Sequence, residues 1–218
     1  MRSAAFFDLD GTLLSVNSGR LWMERERRLG RITLRQLLQG TFYLVAYRLS
    51  VIDIEQVTIE ALKTVQGERE QTVREWTRAW FVEEVAPHIA PGARPALEAH
   101  RAHGDLCVLL TSSSLYESEI ATEMLGLDAF LCTRYEVQNG VFTGGVVRPV
   151  CYGEGKVALA ERFAAQNGID LLRSAFYSDS FSDLPMLRRV GRPGVVNPDL
   201  RLRLAARRQG WPVLDWRA

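Results

Sequence analysis

The 218-residue chain carries 27 basic and 26 acidic residues, a net charge of +1, with 47% hydrophobic and 24% charged residues. That balance gives neither nucleic acid nor an anionic membrane an electrostatic foothold. The length allows one sizeable core plus an accessory domain.

The first expected element is a buried strand over residues 3–8, running into Asp8-Leu9-Asp10-Gly11-Thr12. Residues two apart on a strand point the same way. Asp8 and Asp10 therefore repel one another without any packing benefit. They also interrupt any apolar leader, so no secretory signal is expected at this end.

Residues 16–86 read as helical throughout. The segments 18–29, 33–50, 53–65 and 68–85 carry apolar residues at helical period, with Thr33 and Asp53 as N-caps and Gly30 and Gly67 as stops. The most apolar window, residues 37–52, contains Arg48 and falls short of the ~20 residues a membrane-spanning helix needs. Packing inside a helical domain is the expected role of that window. Pro87 and Pro91-Gly92 then punctuate the return.

From residue 93 the pattern alternates. Residues 94–103 read as helix, 105–110 as buried strand, 115–125 as helix and 129–133 as a short strand. Residues 134–147 read as a hairpin turning at Asn139-Gly140. Helix 156–166, strand 174–178, helix 183–190 and strand 194–197 follow. Arg201, Arg203, Arg207 and Arg208 lie in a last helical pattern, as a solvated face. Alternating strands and helices predict an α/β fold. Its Rossmann-like three-layer core has a parallel sheet covered on both faces. The core takes residues 1–15 and 88–218, and an all-helical cap of residues 16–87 is inserted after the first strand. Cys107, Cys132 and Cys151 are odd in number and lack CxxC spacing, so buried thiols in a reducing cytoplasm are expected.

Ligands of open α/β sheets bind beyond the carboxyl ends of the strands. After the first strand stand Asp8 and Asp10. Thr111 and Ser112 follow strand 105–110. Asp179 and Asp183 follow strand 174–178, and Lys156 opens a helix. Taken singly, each has an ordinary reading as a turn, a helix cap or a surface lysine. Together they place four carboxylates, a lysine and a hydroxyl at one sheet edge. Four carboxylates at one edge are costly unless a cation holds them. Oxygen-only ligands point to a hard cation, Mg²⁺ foremost.

This set resembles the haloacid dehalogenase superfamily, specifically subfamily IB, the branch that includes phosphoserine phosphatase. The first motif of that family, DxDGT, stands as Asp8, Asp10, Gly11 and Thr12. The second, an apolar strand ending in Ser or Thr, is VLLT with Thr111. The third is Lys156 in GEGK, and the fourth is Asp179 with Asp183. NGVFTG (residues 139–144) and DLPM (residues 183–186) are similar as well, whereas residues 16–86 match only in placement and helical character.

The resemblance implies a Mg²⁺-dependent phosphatase that hydrolyses a small phosphorylated metabolite through an aspartyl-phosphate. Asp8 is implied as nucleophile and Asp10 as general acid and base. Lys156, Thr111, Ser112 and Gly11 are implied at the phosphate. Asp8, the Asp10 carbonyl and Asp179 are implied at the metal, with Asp183 orienting metal-bound water or Lys156. A glutamate that helps phosphoserine phosphatases bind their amino acid is replaced here by Asn17, and a cap arginine falls near Ala61. Both departures argue against phosphoserine. Histidinol phosphate and a lipid head-group phosphate are the alternative substrates, and phosphotransfer to another acceptor and a non-catalytic phosphate-binding module the alternative functions. Asp10 argues against dehalogenation, which needs no acid/base at that position.

Overall fold

Four consecutive apolar residues, Ala4–Phe7, form the central strand β1, and each is fully excluded from solvent. In the computed structural model, which describes residues 2–35, 38, 40, 59, 62 and 65–217, β1 is flanked on both sides by parallel neighbours. Phe7 lies opposite Leu109 of β2 (Leu106–Ser114) and Tyr177 of β5 (Ala175–Ser178). Strands β3 (Ala129–Gln138), β4 (Val141–Val147), β6 (Arg192–Val196) and β7 (Val213–Leu214) complete a seven-stranded sheet of order β4-β3-β2-β1-β5-β6-β7.

Alternate β1 residues enter different cores. Ala5 and Phe7 join Leu109 of β2 and side chains of α3 (Ala93–His103) and α4 (Leu115–Leu125), among them Leu97, Ile120 and Leu125. Ala4 and Phe6 join Val108, Leu110 and Phe176 against α5 (Glu154–Asn167), α6 (Leu184–Arg189) and α7 (Leu200–Gln209). Helices therefore cover both faces, as a doubly buried parallel sheet requires.

Several expectations need correction. Residues 111–114 do not follow β2 but extend it, and its pairing with β3 shifts register between Thr111 and Ser114. Such an irregularity re-aims a strand end. The expected short strand 129–133 and the first arm of the hairpin are one ten-residue strand, β3. Its second half pairs with β4 in the expected hairpin, which makes an antiparallel edge on the otherwise parallel sheet. Before α6 stands a separate short turn, Phe181–Asp183, and the two-residue β7 had no counterpart in the expected elements.

Helix α1 spans Ser18–Arg28, and α2 spans Glu70–Trp80. Trp80, Phe81 and Val85 at the end of the second helical stretch pack into the same core as Phe7. The expected helices 33–50 and 53–65, including the apolar window 37–52, lie almost wholly outside the described residues. Among the described residues, no helix is long and apolar enough to cross a membrane. All three cysteines are buried free thiols.

Candidate active site

β1 has its parallel neighbours β2 and β5 on opposite sides, so a crevice opens beyond its carboxyl end. The chain leaves β1 at Asp8, whose backbone N–H donates to the Tyr177 carbonyl at 2.9 Å. It then makes a wide turn closed by the Leu14 N–H on the Leu9 carbonyl at 2.8 Å. Gly11 sits in this turn at φ +74°, and a Cβ there would stand 2.3 Å from Asp179 Oδ2. Glycine is thus required both by the backbone and by the approach of Asp179.

Lys156 is 2% exposed. Its Nζ donates to Asp8 Oδ1 at 2.8 Å and to Asp183 Oδ2 at 2.7 Å. The Ser178 hydroxyl donates to the same Asp183 oxygen at 2.7 Å. A buried ammonium between two carboxylates offsets most of their repulsion and leaves one net negative charge. Burial pushes the Asp8 carboxyl up to about 7. Lys156 opposes that shift, and the neighbouring Asp183 charge adds to it.

Asp10 points elsewhere. Its Oδ1 accepts from the Ser18 N–H at 2.8 Å, and its Oδ2 lies 3.1 Å from Ser18 Oγ and 3.3 Å from Asn17 Nδ2. Asn17 caps α1 by accepting from the Arg20 N–H at 3.0 Å. The two aspartates of DxD are therefore partitioned: Asp8 faces a lysine, and Asp10 faces the N-terminus of a helix.

Thr111 is 1% exposed on β2, and its hydroxyl oxygen accepts from the Ser113 N–H at 3.1 Å. Its hydroxyl proton is not used in that contact. Ser112 is half-buried on the same strand end. Asp179 follows β5, where its carbonyl accepts from the Asp199 N–H at 2.9 Å.

Among the described residues, no three acidic, histidine or cysteine side chains already stand together as a metal cage. The donor chemistry nevertheless fits a hard cation. Asp183 Oδ1 is buried with no hydrogen-bond partner among the described residues, and Asp179 reaches the turn that carries Asp8 and Asp10. Thr12 Oγ1 is another buried oxygen with no partner among the described residues. Burial pushes the Cys107 and Cys132 thiols up to about 11, so neither supplies a thiolate nucleophile near neutral pH.

Sequence reasoning missed Ser178, Ser18 as a partner of Asp10, and Glu117. Only Glu117 carried a signal. It lies three residues after Ser114 at the start of α4, the spacing of a capping box.

The model of the haloacid dehalogenase-like hydrolase family matches residues 5–188. A histidinol-phosphatase of Neisseria meningitidis is 28% identical over the full length of both chains. The phosphoserine phosphatase SerB1 of Mycobacterium tuberculosis is 31% identical across this whole chain and 72% of its own. A crystal structure of a Bordetella pertussis protein of unknown function superposes with a TM-score of 0.88 at 28% identity, covering 99% of each chain.

Proposed function

The chain belongs to the haloacid dehalogenase-like hydrolases and is a phosphatase, and from that premise we propose that it hydrolyses a small phosphomonoester through an aspartyl-phosphate on Asp8. The observation that carries this reading is the partition of the DxD pair. Two carboxylates two residues apart have different environments, which is how one site holds a nucleophile and an acid/base together.

Asp8, buried and anchored by Lys156, attacks phosphorus. The P–O bond to the leaving group breaks, and Asp10 gives its proton to the departing alkoxide. Water then attacks the aspartyl-phosphate, and Asp10, now a carboxylate, takes the water proton. Phosphate leaves, and both residues return to their starting states. The leaving oxygen and the incoming water use the same place, so one residue serves both steps. Lys156 and the Thr111 hydroxyl meet phosphoryl oxygens, with main-chain N–H groups near Gly11 and Ser112 as further donors.

Mg²⁺ would be held by Asp8, the Asp10 carbonyl and Asp179, with Asp183 beside it, and it supplies positive charge against the anionic substrate. In this reading the expected cap, residues 16–87, selects the substrate. Histidinol phosphate is the second, narrower reading. The full-length match to a histidinol-phosphatase favours it, as does Asn17 in place of an acidic residue. Phosphate release from a panel of phosphometabolites, histidinol phosphate and phosphoserine included, tests the proposal with Mg²⁺ and again with EDTA. Retention of wild-type turnover by Asp8→Asn would overturn it.

A further inference from the structure

We propose that Glu117 is a positioning residue for Asp10, acting through the hydroxyl of Ser18; this rests on the phosphatase reading above and deepens it. Ser18 is 2% exposed at the start of α1. Its Oγ lies 3.1 Å from Asp10 Oδ2 and 2.9 Å from Glu117 Oε2. The other Glu117 oxygen, Oε1, accepts from the Ser114 hydroxyl at 3.1 Å. The Ser114 oxygen in turn accepts from the Glu117 N–H at 3.3 Å, as a helix cap does. A glutamate at this position of a capping box needs only the residue that caps its own helix. Here the carboxyl also spans to α1, which is 99 positions away in the chain.

A hydroxyl has one proton, so Ser18 cannot donate to both carboxyl groups at once. When Glu117 donates to Ser18 Oγ, the Ser18 proton is directed to Asp10 Oδ2. Burial raises the Glu117 carboxyl above its ordinary range, with its contacts to Ser18 and Ser114 opposing the rise, and this favours the same pattern. The chain Glu117–Ser18–Asp10 then has one direction, and it holds the Asp10 carboxyl in a single orientation. Glutamine reproduces that pattern: its amide N–H donates to Ser18 and its carbonyl accepts from Ser114. Alanine removes it.

The readout is leaving-group dependence, which a merely structural role would not move. p-Nitrophenolate departs with little help from an acid, whereas phenolate needs one. Glu117→Ala should lower kcat/KM for phenyl phosphate about 10-fold more than for p-nitrophenyl phosphate. Ser18→Ala should show the same selective loss, and Glu117→Gln should restore the wild-type ratio of the two rates. If Glu117→Ala does not fold, Ser18→Ala and Glu117→Gln still carry the test. Equal losses on both substrates, or no loss on either, overturn the inference while leaving the phosphatase reading intact. A wild-type protein that releases phosphate from neither substrate overturns that reading and the inference with it.

Discussion

Asp8 and Asp10 differ by what their side chains touch, and each can be tested alone. Asp8→Asn removes the nucleophile but keeps its volume and one oxygen for Lys156. Turnover should fall on the order of 10⁴-fold or more, measured as phosphate release under saturating substrate. The same substitution has a stability consequence. The Asp8 pKa rises from 3.8 to about 7 on folding, chiefly through burial. Ionisation therefore favours the unfolded chain, and its cost appears as pH climbs through that window. With EDTA present, Asp8→Asn should melt a few degrees above wild type at about pH 8. That gain should shrink at about pH 5.5, where wild-type Asp8 is itself protonated. A melting difference independent of pH would contradict the burial argument. Asp10→Asn should instead slow hydrolysis of the phosphoenzyme, because the attacking water loses its base. Formation of the phosphoenzyme from p-nitrophenyl phosphate should suffer least, which a pre-steady-state burst of p-nitrophenol would reveal.

At the scale of elements, four segments deliver the chemistry: the turn after β1, the end of β2, the end of β5 and the start of α5. The last is held by a close backbone approach. A Cβ on Gly155 would stand 1.9 Å from the Val150 carbonyl oxygen. That neighbour is backbone and cannot swing aside. Gly155→Ala should therefore push the first turn of α5 away and carry Lys156 with it. A displacement of about 1 Å at a catalytic group costs on the order of 10²-fold in rate. The check is kcat together with a melting curve. A large loss of kcat with a small loss of stability locates the damage at Lys156, and unchanged kcat would refute the link. α4 has a related role. Its N-terminal Ser114 caps the helix, while Glu117 reaches Ser18 at the start of α1.

For the whole molecule, the sheet order decides where the anions meet. β1 lies between β2 and β5, so the ends of all three strands open on one crevice. Asp8 is 7% exposed, Asp179 2% and Asp183 1%, and the Lys156 ammonium bridges two of these three carboxylates, Asp8 and Asp183. A divalent cation binding this edge of the fold should stabilise it by mass action. At a hundredfold excess over Kd the gain is about 2.7 kcal/mol. For a domain of this size that corresponds to about 5–10 °C in Tm. Thermal melts with and without millimolar Mg²⁺, for wild type and Asp179→Ala, measure it. The substitution should remove most of the shift. A wild-type Tm indifferent to Mg²⁺, with EDTA-insensitive turnover, would remove the metal from the proposal.

Most helix and strand periods among the described residues, the Asn139-Gly140 turn and the order of the four motifs were legible in the chain itself. They depend on neighbours within a few residues or on fixed steps along an element. The α/β class follows from that local information, and so does the expectation that Asp8, Asp10, Thr111, Lys156, Asp179 and Asp183 gather at one edge, given that ligands bind beyond strand ends. Partner identity did not follow. Lys156 and Asp8 are 148 positions apart, and Ser18 and Glu117 are 99. Whether Asp10 faces the lysine or the α1 terminus depends on how the turn after β1 packs against Asp179. β2 and β3 likewise run past their apolar cores into polar residues. Cross-strand pairing, including the antiparallel β4, continues the ladder where side-chain pattern alone would end it. Contacts between distant segments are set by packing and by the pairing of buried polar groups, and only the folded chain brings those groups together.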